Sequence, residues 1–320
     1  MTLVQLRYLI AVAQHSSVQK AAESLYVSQP SISKAIASLE DEMGITIFTR
    51  HSTGMTLTEE GYKFLTYAQQ VIEQADLLLS HYRAGQKIRR VFSISSHHYA
   101  FVVNAFVLLL REYTKDEYEF SLRETRTFDI IEDVKTTRSE IGIIYLSPFN
   151  RDVIRNILKS KGLEYRSLFI AKPHVFVSRA HPIAAKQSVR LEDLREYPRF
   201  TYDQGTNNSF YFAEELHSNI IAPKSIVVTD RATLFNLLLG LQGYTIASGI
   251  LSTDLNGDQI VAVPLESEEY MELIVLTIHG HKLSSLAARY IQILSDYVRQ
   301  FITNSPNSAV ELPHQSYEQL

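Results

Sequence analysis

Two short segments near the N-terminus each carry apolar residues at the spacing of one helix face, with a brief polar break between them. The apolar positions are Val18, Ala21, Ala22 and Leu25 in the first segment, and Ile32, Ala35, Ile36 and Leu39 in the second. Ser16 and Gln19 predict a capping box at the start of the first helix. Ser28 can cap the second helix, Pro30 is tolerated in its first turn, and Gly44 ends it. Two such helices joined by a tight turn form a helix-turn-helix.

Further elements flank this pair and complete a small domain over residues 1–58. A preceding helix is predicted from Leu3, Leu6, Ile10 and Ala13, and a hairpin, or wing, from the alternating segments 45–48 and 55–58. Short polar side chains and a lysine face outward from the second helix of the pair, where they can reach base edges and phosphates. We expect DNA contacts from Ser28, Gln29, Pro30, Ser31, Ser33 and Lys34 in this helix, and from Arg50 and Thr53 in the wing.

Bulk charge gives little support to nucleic-acid binding. The whole chain has a net charge of −4, and residues 1–58 contain Arg7, Lys20, Lys34 and Arg50 against Glu23, Glu40, Asp41 and Glu42. The last three acids lie together at the C-terminal end of the second helix of the pair. Its N-terminal end, with free N–H groups and a positive dipole, is therefore the end expected to face phosphates.

The sequence of this domain resembles that of a known family. Residues 21–50 read AAESLYVSQPSISKAIASLEDEMGITIFTR, and residues 54–65 read GMTLTEEGYKFL. The paired alanines, the Ser-Gln-Pro-Ser helix start and the later Thr58 and Gly61 resemble the winged helix-turn-helix of the LysR-type transcriptional regulators. The resemblance implies a helix-turn-helix proper over residues 18–37 and double-stranded promoter DNA as a partner. The alternative is a helical interaction module that does not contact DNA.

Residues 59–86 predict a long helix followed by a hinge at residues 84–86. Its apolar stripe steps by three and four residues, as in a coiled coil, at Leu65, Ala68, Ile72, Ala75 and Leu79. We interpret this stripe as a dimerisation surface, and packing on its own domain is the alternative. The family resemblance implies that this linker helix pairs two subunits, and that tetramers form through further contacts.

Residues 87–303 alternate between predicted strands and helices. Strands are predicted at 91–94, 119–122, 141–145, 165–169, 175–178, 199–202, 225–228, 244–247 and 273–278, and helices at 101–113, 129–135, 207–216, 231–241 and 284–301. This alternation predicts a parallel sheet with helices on both faces, in two α/β subdomains. We place the first at about 87–164 and 265–303 and the second at about 165–264. Residues 304–320 are expected to form a loose tail.

The overall fold class is therefore α/β, with a winged helix-turn-helix, a linker helix and two α/β subdomains. The segments Ala180–Ile183 and Leu191–Leu194 resemble the periplasmic-binding-protein-like effector domain of the same family. Gly142 departs from that pattern, because many members have an aspartate there.

The crevice between the two subdomains is the expected site for a small-molecule effector, because polar residues follow the carboxyl ends of several strands. The candidates are Ser95, Ser96, Thr125, Arg126, Thr127, Thr201, Tyr202, Gln204, Thr229 and Ser248. A helix opening at residues 207–209 would add free N–H groups, and Arg126 favours an anionic ligand. The alternatives are that the hydroxyls cap helices and that Arg126 pairs with a neighbouring acid.

Several classes of function lack support in the sequence. The chain of 320 residues contains no cysteine, which excludes disulfides, thiolate zinc sites and a thiol nucleophile. The motifs for nucleotide binding, the nucleophile elbow and the zinc-protease helix are missing. The pairs His97–His98 and His279/His281 have no clustered third ligand, so no metal and no cofactor are expected.

The alternatives to a regulator are an α/β enzyme or a ligand-binding protein with an accessory helical module. Apolar stretches such as 141–146 are far shorter than a bilayer span of ~20 residues, and the N-terminus lacks the pattern of a signal peptide. We therefore expect a cytoplasmic protein with no membrane contact. RNA polymerase is a further partner that a regulator can have.

Overall fold

The computed structural model describes residues 1–51, 54–83, 90–114, 117–251, 257–304 and 310–312. Two compact units divide the chain, Met1–Ile88 and Arg89–Leu320, and each has a hydrophobic core of its own. Across these described ranges, the helices are too short or too polar to span a bilayer.

The N-terminal unit combines helices with a β-hairpin. Its elements are α1 (Leu3–His15), α2 (Val18–Ser24), α3 (Gln29–Met43), β1 (Phe48–His51), β2 (Gly54–Leu57) and α4 (Glu59–Arg83). The predicted ends of α3 are confirmed, because Ser28 Oγ accepts a hydrogen bond from Ser31 N and Gly44 is left-handed at φ 68°. The predicted capping box of α2 is wrong. Ser17 caps this helix, whereas Ser16 ends α1 with a φ of 51°.

Glu40 attaches the hairpin to the end of α3. Its Oε1 accepts hydrogen bonds from Ile47 N at 2.7 Å and from Phe48 N at 3.0 Å. At the start of α4, a Cβ on Gly61 would lie 2.2 Å from Ile47 O, so only glycine fits this close approach. One of the acids at the C-terminal end of α3 thus fixes the position of the wing.

Helix α4 packs part of its apolar stripe on its own unit. Ala68 and Ile72 are buried in the core that α1 and α3 share, and Leu65 packs against that core. Ala75 is half-buried, and an ion pair between Arg7 and Asp76 adds a contact between α1 and α4. The predicted dimerisation stripe is corrected accordingly, because Ala68 and Ile72 are already occupied within the chain. The exposed apolar side chains of α4 include Val71, Leu78 and Leu79.

The larger unit contains the remaining elements. In chain order they are β3 (Arg90–Ser96), α5 (Ala100–Glu112), β4 (Tyr118–Glu124), α6 (Thr127–Lys135), β5 (Ile141–Leu146), α7 (Arg151–Ser160), β6 (Leu163–Ala171), β7 (His174–Ser178), β8 (Arg199–Tyr202), β9 (Ser225–Val228), α8 (Arg231–Gly240), β10 (Thr245–Ala247), β11 (Ile260–Pro264), β12 (Met271–Ile278), α9 (Ser285–Asn304) and β13 (Val310–Glu311).

The first sheet has the strand order β13-β6-β12-β5-β3-β4. β3 pairs in parallel with β4 and β5, as predicted for strands connected through α5 and α6. β12 runs antiparallel to both β5 and β6, so the prediction of a parallel sheet holds for part of it only. β12 enters this sheet from the second sheet, after β11, so no helical crossover from β5 or β6 leads into it and sets a parallel direction.

The second sheet joins the order β10-β7-β11 to the parallel pair β8-β9. A bridge between Arg199 and Tyr244 connects them, and Phe200 N donates to Tyr244 O at 2.7 Å. β6 belongs to the first sheet up to Ala171, so the predicted subdomain boundary near residue 165 is too early. The chain passes between the sheets from β6 to β7 and from β11 to β12.

Long-range contacts overturn two local predictions. Residues 207–216 do not form an α-helix and contain a short 3-10 turn at Phe210–Phe212. Within this segment, Glu214 accepts a hydrogen bond from His98 N, and Glu215 accepts one from Tyr202 N. The tail was predicted to be loose, but its strand β13 pairs with β6 and buries Val310 in the core.

Gly142 allows α6 to approach β5 closely. A Cβ at this position would lie 2.8 Å from Ile130 Cγ2 and 2.9 Å from Val134 Cγ2. Glycine, in place of the aspartate that many members of the resembled family have here, thus allows a tight contact between α6 and β5.

Candidate functional site

The outward face of α3 begins at its capped N-terminus. The exposed residues are Ser28, Gln29, Pro30, Ser31 and Lys34, and Ser33 is half-buried. Ser28 Oγ and Ser31 Oγ lie 2.7 Å apart. Ile32, Ile36 and Leu39 hold the opposite face in the core. Amide, hydroxyl and ammonium groups are thus presented together, at the end of the helix where the dipole favours an anion.

The turn before α3 adds a residue that the sequence analysis missed. Tyr26 is 96% exposed with a φ of 56°, and its phenol can donate to a phosphate. In the wing, Arg50 lies in β1 opposite Met55, whereas Thr53 lies outside the described residues. A large aromatic residue in a turn that follows an amphipathic helix was the available signal for Tyr26.

Polar contacts bridge the two sheets of the larger unit on one side of the crevice. Arg126 forms an ion pair with Asp203, and its Nε also donates to Asp203 O at 3.2 Å. Thr127 N donates to Gln204 Oε1 at 3.2 Å. The structure thus shows the salt bridge with a neighbouring acid that was the alternative for Arg126, whereas its role in binding an anion stays a prediction.

His98 and Glu214 form a second, more deeply buried bridge. His98 Nδ1 lies 2.9 Å from Glu214 Oε2, with 5% and 3% of the two side chains exposed, and the imidazole stacks on Tyr202 at 4.0 Å. Burial alone would lower the pKa of His98, but the hydrogen bond and charge of Glu214 raise it. Burial likewise opposes ionisation of Glu214, yet the adjacent histidines lower its pKa. A third bridge joins Arg231 Nε to Glu124 Oε1 at 3.0 Å.

His97 is a neutral part of the same network. Burial lowers its pKa to about 4. Thr127 Oγ1 donates its proton to Phe212 O at 2.6 Å, so it must accept from His97 Nε2 at 2.7 Å. His97 Nδ1 then accepts from the Tyr99 hydroxyl at 3.1 Å. The pKa values of the two adjacent histidines are therefore shifted in opposite directions.

Glu215 is buried beside this network with an incomplete set of partners. Its Oε1 accepts from Tyr202 N at 2.9 Å, whereas its Oε2 has no hydrogen-bond partner among the described residues. Burial, reinforced by the charge of Glu214, raises the pKa of Glu215 to about 8. Glu215 is therefore a neutral acid at pH 7, and it can lose its proton when its surroundings change.

A cavity of about 40 Å³ lies between the two sheets. Its walls are largely aromatic and aliphatic and also include charged groups. The lining includes His98, Tyr99, Phe101, Phe176, Tyr202, Glu214, Glu215, Phe235, Thr245 and Ser248. The described part of the chain thus encloses a small apolar chamber that carries carboxylates.

The structure brings some of the predicted effector residues to this chamber and places others elsewhere. Tyr202 and Ser248 line it, and Thr127 and Gln204 lie in the surrounding network. The prediction that Ser95 contacts the effector is wrong, because this fully buried residue donates a hydrogen bond to Asp133 Oδ2 at 2.6 Å. Ser96 is buried as well, with its hydroxyl on His97 O. The other candidates do not line the chamber: Thr125 and Thr201 are half-buried, and Thr229 is exposed.

His98, Glu214 and Glu215 are the site residues that sequence reasoning missed. The two histidines were considered only as metal ligands, and the two glutamates lay in a segment predicted to be helical. Their signal was a pair of adjacent acids, Glu214 and Glu215, in a stretch without lysine or arginine between Arg199 and Lys224.

Two family models match the chain, in the order of its two units. The lysR-family model of bacterial regulatory helix-turn-helix proteins matches residues 3–62, and the LysR substrate binding domain matches residues 86–299. A probable RuBisCO transcriptional regulator of Thalassiosira pseudonana is 24% identical over 290 residues, covering 88% of this chain and 89% of that protein. The transcriptional dual regulator GltC of Bacillus subtilis is 31% identical over 215 residues, covering 64% of this chain and 66% of that protein.

A solved structure supports the fold. A cysteine mutant of OxyR from Corynebacterium glutamicum has a TM-score of 0.50 at 18% identity, and the match covers 98% of this chain and 97% of that chain. The substrate-binding match alone spans most of the chain, and the helix-turn-helix match covers α1 to the start of α4. The chain therefore belongs to the LysR family: it is a DNA-binding transcriptional regulator with an effector-binding domain, and not an enzyme.

Proposed function

We propose that this regulator reads promoter DNA by placing the N-terminal half of α3 in the major groove. The observation that carries this proposal is the joint exposure of Gln29, Ser31 and Lys34 at a helix end that Ile32 and Ile36 anchor in the core. Gln29 can make a bidentate contact with a base edge, and Lys34 supplies a cation for the phosphates. Arg50 and Thr53 in the wing are proposed to contact the backbone or the minor groove.

The test is to recover the DNA that the protein selects. Purified full-length protein is mixed with sheared genomic DNA, and the retained fragments are sequenced. The proposal expects a shared motif with two-fold related half-sites, and a Gln29→Ala variant that tolerates more base changes within it. Retention of random fragments by both proteins would contradict sequence-specific reading through α3.

The effector is proposed to bind in the chamber between the two subdomains. Glu215 supports this proposal most directly, because its carboxylate oxygen is buried without a partner beside an enclosed cavity. Such a group carries a desolvation cost that a bound ligand can relieve. The bridges Arg126–Asp203 and His98–Glu214 hold the crevice closed, so a ligand that favours one closure state would shift the population of states.

Calorimetric titration with a metabolite panel tests this site. The comparison is wild type against Ala247→Leu, which adds bulk at the wall of the chamber. The proposal expects a ligand that binds wild type and loses most of its affinity for the variant. A ligand that binds both proteins equally would place the effector site elsewhere.

We propose that two copies of the chain assemble through the exposed apolar side chains of α4, and not through the buried ones. Val71 and Leu78 are 43% and 60% exposed on a helix that also exposes Leu79. Pairing of two such helices would remove this surface from water and give a two-fold dimer that matches a two-fold DNA site. Tetramers through the larger units, contacts with RNA polymerase and a cytoplasmic location are part of the same proposal.

A further inference from the structure

The chamber between the two sheets combines a charge, a shape and a wall chemistry that together select a type of ligand. Glu214 and Glu215 are 4% and 2% exposed, and both line the cavity. Among its described lining residues His98 is the basic one, and it is already bonded to Glu214. The chamber therefore holds two acids and one base, so ionisation of Glu215 would leave a carboxylate there without a cation paired to it.

Arg199, which lies outside the lining, acts on Glu215 through its charge and not through a hydrogen bond to Oε2. Arg199 donates to the backbone oxygens of Leu216 at 2.7 Å and His217 at 2.8 Å. Its charge favours the ionised form of Glu215, but no hydrogen bond from Arg199 reaches Glu215 Oε2. Once Glu215 is ionised, a donor inside the chamber would give this oxygen the hydrogen bond that it lacks among the described residues.

Aromatic rings form much of the remaining wall. Tyr99, Phe101, Phe176, Tyr202 and Phe235 all line the cavity. Aromatic faces attract cations and disfavour anions, and the attraction grows when the cation is removed from water. An anionic ligand would instead be repelled by the Glu214 carboxylate, and by Glu215 once it is ionised, in a region of low dielectric constant.

We propose that the chamber receives the ammonium group of a small organic cation, which donates to Glu215 Oε2 and lies against the aromatic walls. The inference rests on the proposed effector site and specifies the class of its ligand. A cavity of about 40 Å³ has room for about three water-sized groups, so it accepts an ammonium group with a short alkyl stem. This organic cation takes the place of the anionic ligand that the sequence favoured.

Matched probes of this size test the ligand class. Ethylammonium, ethanol and acetate are compared by thermal unfolding and by NMR titration of the full-length protein at millimolar concentration, the range expected for so few atoms. Ethylammonium is expected to raise the melting temperature of wild type. Acetate and ethanol are expected to have no saturable effect.

Proton release gives a readout that a simple change in packing would not produce. Glu215 must lose its proton to bind the cation. Glu214 is already ionised, the pKa of His98 is raised by Glu214, Arg199 is a fixed positive charge, and burial raises the pKa of the surrounding tyrosines. The affinity for ethylammonium is therefore expected to rise tens-fold between about pH 6 and pH 9 and to level off above that range. Glu215→Gln should abolish both the binding and its pH dependence, whereas Glu268→Gln, at an exposed position, should leave them unchanged.

The outcomes separate this inference from the proposed effector site. If acetate or ethanol binds wild type and loses affinity for Ala247→Leu, the chamber is a ligand site but the inferred cation is wrong. If ethylammonium binds wild type and Glu215→Gln equally, the assigned contact is wrong. Failure of ethylammonium to stabilise wild type at about pH 9 overturns the inference as well.

Discussion

The His98 imidazole donates from Nδ1 to the Glu214 carboxylate across the interface of the two subdomains, at 2.9 Å from Oε2. Both side chains are almost fully buried, and His98 N adds a second hydrogen bond to the same oxygen at 3.1 Å. The two sheets are therefore joined by a charged contact whose loss would leave an unpaired charge in a dry environment.

Removing His98 should destabilise the larger unit strongly. His98→Ala leaves Glu214 buried without its cation, and such a loss costs about 3–5 kcal/mol in the free energy of unfolding. Chemical denaturation followed by circular dichroism measures this change. Arg289→Ala is the matched control, because it breaks the exposed ion pair with Glu112 and should cost less than about 1 kcal/mol. Equal losses in the two variants would contradict the structural role given to His98.

Glu215 should make stability fall as pH rises. Its pKa is about 8 in the folded protein against a usual value of 4.5, so the folded state holds a proton that the unfolded state has released. The stability that wild type derives from this proton is present below pH 4.5 and is lost as pH rises towards 8, by at most about 1.4 kcal/mol per pH unit. Glu215→Gln should therefore gain stability relative to wild type between pH 5 and pH 8.5, as measured by denaturation at each pH. A constant difference across this range would show that Glu215 is ionised in the fold.

Exposed and buried apolar residues of α4 should respond differently to a charge. Leu78→Glu, at a side chain that is 60% exposed, should weaken self-association and leave the helical content unchanged. Ile72→Glu should instead unfold the N-terminal unit, because Ile72 is 8% exposed within its core. Sedimentation velocity and circular dichroism separate the two effects. A Leu78→Glu protein that assembles like wild type would move the dimer interface away from this face.

Filling the space at Gly142 should be costly. Gly142→Ala would place a methyl group 2.8 Å from Ile130 Cγ2, and overpacking of this kind costs about 1–3 kcal/mol. Gly240→Ala is the control, because nothing lies within 4 Å of a Cβ there and its φ is not positive. Denaturation curves should show a clear loss for the first variant and little change for the second. Similar curves would mean that α6 relaxes away from β5.

Local chemistry was enough to predict much of the N-terminal unit. The cap at Ser28, the proline in the first turn of α3 and the glycine at its end are signals that act over a few residues, and the structure confirms them. In the larger unit, most helices and strands were placed correctly because their periodicity is also local. The same periodicity cannot tell which strands pair, so the position of β12 between β5 and β6 was not foreseen.

The candidate site was predicted less well, because it depends on contacts distant in sequence. Glu214 reaches His98 across 116 residues, and no pattern within either segment reveals that pairing. Ser95 shows a different limit: β3 extends to Ser96, two residues beyond the predicted strand, so Ser95 and Ser96 lie within it. Ser95 consequently bonds to Asp133 and does not reach the crevice.

The most direct test of the account is the salt dependence of DNA binding. Fluorescence anisotropy with one of the retained fragments gives the affinity at several salt concentrations for wild type, Lys34→Ala and Gln29→Ala, with Lys63→Ala on α4 as the control. If α3 contacts DNA as proposed, Lys34→Ala should weaken binding to every fragment and reduce the slope of log affinity against log salt by about 1. Gln29→Ala should lose about 1–3 kcal/mol of discrimination at one base pair, and Lys63→Ala should match wild type. Wild-type affinity and slope in both α3 variants would contradict the claim that this helix reads the DNA.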